Sequence, residues 1–210
     1  MRITIGLLLL APVVAVTLDG PPPTVPLAAS ESECVRAREW VAANREHLPD
    51  NLEAISQYSM AYRRAIYREL PRSTKLALWR AQLEHYGRDR RLNAEQREFL
   101  REVDRDIDTF FGPEKVAAAK ARYLERARAT LGRDLTRDIF AVLGVASLRT
   151  GSGRLLSGMK GAFTDCNCSV GSDWCNIMGP ACSNNGGCTN ATLEGCGWWF
   201  CEACNGTCGG

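Results

Sequence analysis

Cysteine is the residue type whose spacing points most clearly to chemistry in this chain of 210 residues. Nine of its ten cysteines lie in the last 46 residues, Asp165 to Gly210. Close cysteines in a short, Gly-rich segment are typical of a disulfide framework in an oxidising compartment. The segment needs such bridges, because its few large apolar residues cannot offset an entropy cost of about 1.5 kcal/mol per ordered residue. The nine are Cys166, Cys168, Cys175, Cys182, Cys188, Cys196, Cys201, Cys204 and Cys208.

Zinc binding and redox catalysis are the competing interpretations of these cysteines. Zinc sites use pairs of C-x-x-C, and only Cys201 and Cys204 have that spacing. A redox pair at the same two residues would need a surrounding βαβ pattern, which the sequence lacks. We therefore favour disulfides and expect no metal and no cofactor. Cys166 through Cys204 can form four bridges, which leaves Cys208 to stay free, to pair with Cys34, or to link two molecules.

The N-terminus indicates the compartment. Arg2 is followed by an apolar run from Ile3 to Val16, which is shorter than the roughly 20 residues of a membrane-spanning helix. A charged start, a short apolar stretch and then small residues are the layout of a secretory signal. Cleavage could follow Ala15 or Ala29, and a Pro-rich spacer comes after the apolar run. We expect the protein to be secreted.

Apolar residues at helical spacing fill the middle of the chain, from Ser32 to about Arg149. A stripe from Ile55 to Leu70 predicts one helix that Pro71 ends. Four more helices are predicted: one ending at Gly87, one starting with a capping box of Asn93 and Gln96 and ending at Gly112-Pro113, one from about Glu114 to Leu131, and one from about Asp134 to Leu148. The predicted fold is therefore a mostly α-helical bundle followed by a small, irregular, disulfide-rich C-terminal domain.

This helical part shows no arrangement of catalytic residues. His47 and His85 lack cysteine partners nearby and are better interpreted as surface or capping residues. Four acidic residues alternate between Glu102 and Asp108, so they do not share a helix face, and local ion pairs explain them better than a metal. The motifs of serine hydrolases, zinc proteases and P-loop enzymes are absent. We expect no enzymatic activity.

A Gly- and Ser-rich linker separates the two parts. Small, exposed linkers are where proteases cut, so Arg154, Lys160 and Gly161 are the candidate processing positions. Residues 31–160 carry 25 basic and 19 acidic residues, whereas residues 161–210 carry four acidic and no basic residues. The opposite net charges suggest that the two parts attract each other before cleavage. The acidic end also argues against nucleic-acid binding.

The run Trp198-Trp199-Phe200 is the strongest candidate for contact with a target. With no basic residue, the cysteine-rich segment should not bind anionic membranes by charge. An exposed aromatic run could instead insert at an interface or dock on a receptor. The competing interpretation is that these rings simply cover the disulfides.

The cysteine-rich segment resembles the fulvocin C family of bacteriocins. The resemblance is most specific over residues 165–206 and rests on Cys166-x-Cys168, Ser172-Asp173-Trp174-Cys175, Gly195-Cys196-Gly197, the aromatic run, and Ala203-Cys204-Asn205-Gly206. A looser similarity covers residues 50–110, in Tyr62-Arg63-Arg64-Ala65-Ile66 and from Leu70-Pro71 to Leu78-Trp79. It implies a small, disulfide-bridged, antibacterial mature peptide. The chain departs from the family by the additional Cys208 and by the spacing of Cys201 and Cys204.

Together these features predict a secreted bacteriocin precursor. Its parts are a signal peptide with the start of the spacer (1–29), a helical pro-region (30–149), a linker with a processing site (150–164) and the mature peptide (165–210). Its expected partners are a processing protease, an envelope component or receptor of the target cell, and its own pro-region. The alternative is a secreted, non-enzymatic interaction or adhesion protein whose cysteine-rich tail stays uncut.

Overall fold

Seven α-helices and a two-stranded sheet form the part of the chain that the structure, a computed structural model, describes. That part comprises residues 33–112, 114–145, 168–170, 182 and 192–206. The chain is mostly helical, with a small disulfide-bonded C-terminal part, so the predicted fold class is confirmed. The elements are α1 (Glu33–Ala43), α2 (Leu52–Ser56), α3 (Met60–Glu69), α4 (Arg72–Gly87), α5 (Ala94–Phe110), α6 (Val116–Leu131), α7 (Arg133–Phe140), β1 (Thr192–Cys196) and β2 (Glu202–Cys204), with 3-10 turns at Arg45–His47 and Trp198–Phe200.

Helices pack both against their neighbours in the chain and against more distant helices, and the sheet packs against one helix. Helix α1 lies on α3, α5 lies between α4 and α6, and α7 packs on α6 and α4. The antiparallel strands β1 and β2 pair Thr192 with Cys204 and Cys196 with Glu202, with an irregular register between the two pairs. Strand β1 also contacts α3. Among the described residues, no helix combines the length and apolar composition that a membrane span requires.

The capping box that starts α5 forms as predicted. The Asn93 side chain accepts from the Gln96 backbone N–H at 2.9 Å, and the Gln96 side chain accepts from the Asn93 N–H at 3.0 Å. The single helix predicted over Ile55 to Leu70 is wrong, because the chain breaks between α2 and α3. The Arg63 guanidinium stabilises this break by donating to the carbonyl oxygens of Ser56 at 2.6 Å and Tyr58 at 2.7 Å.

The last helix is shorter than its apolar pattern predicts, because buried polar side chains end it. Gln82 is fully buried, and its amide nitrogen donates to the carbonyl oxygens of Asp138, Ile139 and Val142. Its Oε1 accepts from the Gly144 N–H at 2.6 Å. The amide thus satisfies backbone groups that a helix end leaves unpaired.

The alternating acidic residues form ion pairs with neighbouring helices, rather than the local pairs that the sequence predicts. Glu102 on α5 pairs with Arg126 on α6 at 2.7 Å, and Asp108 pairs with Arg80 on α4 at 2.6 Å. Asp106 accepts from the hydroxyl of Tyr123 at 2.5 Å. Burial and then this hydrogen bond raise the pKa of Tyr123. These acids therefore connect α5 to both adjacent helices.

Replacing Gly144 by alanine should destabilise the protein by about 2 kcal/mol or more. Gly144 has φ +120°, and a Cβ there would overlap the Arg63 guanidinium, lying 2.8 Å from Cζ. The matched control is Gly87→Ala at the end of α4, where no heavy atom lies within 4 Å of the added Cβ. That control should be neutral or slightly stabilising, because alanine favours helix. Chemical denaturation measures both, and equal midpoints for the two variants would contradict the packing of Arg63 on Gly144.

Candidate functional site

Two disulfides stabilise the C-terminal part within the described residues. Cys168 bonds to Cys182, and Cys196 bonds to Cys204 with a Cα–Cα distance of 5.1 Å. The second bridge joins β1 to β2. Hydrogen bonds alone would not make a hairpin of two such short strands stable. The disulfide-rich character predicted from the sequence is confirmed for these four cysteines. Because Cys204 bonds to Cys196, it is not a redox partner of Cys201.

Cys201 follows the aromatic run and is buried with it in the core. Its Sγ lies 3.4 Å from the carbonyl oxygen of Trp199. A cavity of about 180 Å³ lies next to Cys201. It is lined by Tyr67, Arg72, Lys75, Phe111, Gly112, Glu114 and Cys201.

Several predicted site residues lie outside the described residues. They are the cysteines Cys166, Cys175, Cys188 and Cys208 and the processing candidates Arg154, Lys160 and Gly161.

The aromatic run forms a tight left-handed turn, Gly197–Cys201, which we call the aromatic turn. It connects β1 to β2, whose ends the Cys196–Cys204 disulfide holds together. Gly197 has φ 63°, and Trp199 and Phe200 both have φ 54°. For residues with a Cβ this region costs about 1–2 kcal/mol each, so surrounding contacts must stabilise the turn.

The expectation that Trp198, Trp199 and Phe200 are exposed is wrong for the intact chain. All three side chains are fully buried and belong to the same hydrophobic core as the helices. The competing interpretation was that these rings simply cover the disulfides, and their packing against the helices goes beyond that. The helical region, residues 33–145, supplies the aromatic surface that encloses them. We call this surface the acceptor site, and its members are Tyr67, Trp79, Phe111 and Phe140.

Phe200 and the backbone of Trp199 bind to α3 and α4. The Phe200 ring meets the rings of Tyr67 and Trp79 edge to face, at centroid distances of 5.4 and 5.6 Å. The Tyr67 hydroxyl accepts from Trp79 Nε1 at 3.0 Å and donates to the Trp199 carbonyl oxygen at 3.1 Å. One buried hydroxyl therefore joins both helices to the turn through a directional hydrogen bond. The Arg64 guanidinium also lies over the Phe200 ring, at 5.8 Å, and burial lowers the pKa of Arg64 to about 10.

The two tryptophan rings contact the other two members of the acceptor site. Trp198 stacks on Phe140 at the end of α7, with the ring centroids 4.5 Å apart and the planes inclined by 14°. Trp199 lies 6.2 Å from Phe111, which follows α5. Offset stacking and tilted packing at such distances are favourable beyond the apolar area that they bury.

The indole N–H groups of Trp198 and Trp199 are buried and make no hydrogen bond within the described residues. A buried donor without an acceptor costs about 1–3 kcal/mol. The acceptor site therefore covers the rings well and leaves their polar ends unsatisfied.

A partly buried ion pair flanks the aromatic contacts. Glu202 on β2 lies 3.2 Å from Lys120 Nζ on α6, and the two side chains are 11% and 22% exposed. The other oxygen of Glu202 accepts from the Ser169 hydroxyl at 2.6 Å. This pair agrees in sign with the predicted charge attraction between the two parts. The aromatic contacts lie beside this ion pair, so charge is one of at least two kinds of contact between the two parts.

Sequence reasoning identified the aromatic run and missed its partners. Tyr67 and Phe140 lie beside the apolar stripes and not on them, so the helical periodicity does not mark them as contact residues.

His47 and His85, predicted to be surface residues, are both exposed. In the described ranges, no three His, Cys, Asp or Glu side chains are grouped as metal ligands would be. No protein-family model, curated protein or solved structure shows significant similarity to this chain.

Changing Tyr67 to phenylalanine should lower the free energy of unfolding by about 1–3 kcal/mol. The ring would still contact Phe200, but Trp79 Nε1 and the Trp199 carbonyl would lose their shared partner. The matched control is Tyr62→Phe, since Tyr62 is only partly buried and its described ring pairs are with Trp40 and Tyr58. The control should change stability by less than about 0.5 kcal/mol. If denaturant titration gave the two variants the same stability, the bridging role of Tyr67 would be refuted.

Proposed function

We propose that the chain is the secreted precursor of a disulfide-stabilised antibacterial peptide. The peptide is the cysteine-rich segment, released from the C-terminus by cleavage in the linker, and it acts on the envelope of competing bacteria. The chain is exported through its N-terminal signal, and neither part is an enzyme. The resemblance of residues 165–206 to fulvocin C-type bacteriocins supports this proposal.

The observation that carries the proposal is the complete burial of the aromatic turn by the helical region. The turn holds three of the largest apolar side chains of the cysteine-rich segment, and all three are enclosed. A pro-region that covers the contact surface of a toxin keeps the toxin inactive for as long as the two stay bound. The helical region thus has the arrangement that a masking pro-region requires.

The proposed target surface follows from what the acceptor site lacks. A membrane–water interface accepts the apolar ring of tryptophan and also offers hydrogen-bond acceptors to its N–H group. The indole N–H groups of Trp198 and Trp199 have no such acceptor in the described structure. Since the segment carries no basic residue, its contact with an envelope would be aromatic and not ionic.

The second candidate is a secreted interaction or adhesion protein that is never cut. The shared core favours it, because removal of the cysteine-rich segment would expose apolar surface of the helical region, including Tyr67 and Trp79. In that case the aromatic turn is a structural anchor for the tail.

Intact mass spectrometry of the secreted material separates the two candidates. The precursor hypothesis predicts a species of roughly 45–50 residues that starts near Ala162 and gains about two mass units per disulfide on reduction. An uncut chain lacking only its signal, as the sole extracellular form, would contradict it and favour the adhesion protein.

Killing assays test whether the helical region masks the peptide. The cleaved C-terminal piece should inhibit susceptible bacteria, whereas an equimolar amount of uncut chain should be at least tenfold less potent, because Trp198, Trp199 and Phe200 are enclosed. Reduced and alkylated peptide is the control for the disulfides and should be inactive. Equal potency of uncut chain and peptide would mean that burial of the turn has no inhibitory role.

A further inference from the structure

We propose that the acceptor site is a binding site in its own right, which retains the cysteine-rich segment after the linker has been cut. Cleavage alone then yields a non-covalent two-piece complex, and the peptide becomes free when that complex dissociates. This inference rests on the proposed function only in assuming that cleavage occurs naturally. The ligand of the site is the left-handed Trp-Trp-Phe turn.

The first argument is that the helical region alone builds the site. Tyr67 comes from α3, Trp79 from α4, Phe111 from the residue after α5, and Phe140 from the end of α7. Both described disulfides join two cysteines of the cysteine-rich segment, so neither bridge ties that segment to the helices. The ring contacts and the hydrogen bond between the turn and the acceptor site are non-covalent, and they remain possible once the chain is cut.

The second argument is that the contacts are specific to the shape of the turn. The Tyr67 hydroxyl donates to the backbone carbonyl of Trp199, a residue with the positive φ of the left-handed turn. The stacked ring of Phe140 fixes the plane of Trp198, and two rings at right angles fix Phe200. Lys120 adds a charge contact to Glu202 next to the turn. A turn of different hand would lose the hydrogen bond and the stacking together.

The third argument concerns the conditions under which the complex would dissociate. Salt screens exposed ion pairs but leaves the burial of apolar rings intact, and denaturant weakens that burial. Because the contact is mainly aromatic, the complex should persist in high salt and separate in denaturant. This behaviour differs from that expected of attraction between a basic and an acidic part.

The test uses the full-length, oxidised protein with a site-specific protease sequence in place of residues 150–157. After complete cleavage, size-exclusion chromatography at low micromolar concentration should show both pieces in one peak, at low salt and at 1 M salt alike. The pieces should elute separately only in denaturant. Separate elution of the pieces at low salt, without denaturant, would overturn the proposal.

Tyr67→Phe in the same cut protein identifies the site. It should speed dissociation of the pieces about tenfold, because it removes the hydrogen bond to Trp199 while keeping the ring, whereas Tyr62→Phe should leave the rate unchanged. Equal dissociation rates for both variants would show that the pieces are held elsewhere. The engineered cut needs neither a natural protease nor killing, so failure of retention is distinguishable from failure of the proposed function.

Discussion

The hydroxyl of Tyr67 lies at the point where the two parts of this chain become one core. It accepts from Trp79 and donates to the backbone of Trp199, and the ring of Phe200 packs against both aromatic side chains. A buried hydroxyl is stabilising only when its partners are all in place. The positions of α3, α4 and the aromatic turn are therefore interdependent, and the cysteine-rich end cannot be understood apart from the helices.

The same core contains features that lower the free energy of unfolding. Trp199 and Phe200 adopt positive φ, and two indole N–H groups are buried without an acceptor in the described part of the chain. Such features persist only where the surrounding packing compensates for them. Burying three large rings supplies that compensation, and the disulfide between Cys196 and Cys204 keeps the ends of the turn together. The turn is thus stable in the acceptor site and less favourable when alone.

The sequence predicts the local features well, and it cannot predict the contacts between distant residues. Helical periodicity and the capping box at Asn93 lead to the correct fold class, because both depend on neighbouring residues. The break after Ser56 depends on Arg63, whose guanidinium also binds the carbonyl oxygen of Leu143, 80 residues away. Likewise, an aromatic run in a segment without a core suggested exposure, and only tertiary packing reveals that another part of the chain encloses it.

The central claim is that the helical region encloses the aromatic turn in the intact chain, and proton NMR measures this contact directly. The stacking of Trp198 on Phe140, with centroids 4.5 Å apart, predicts nuclear Overhauser effects between the two rings in the oxidised, full-length protein. The effects should disappear in denaturant. Two findings together would contradict the account. One is the absence of a nuclear Overhauser effect between Trp198 and Phe140. The other is exchange of the Trp198 and Trp199 indole N–H groups with water as fast as in a fully exposed indole.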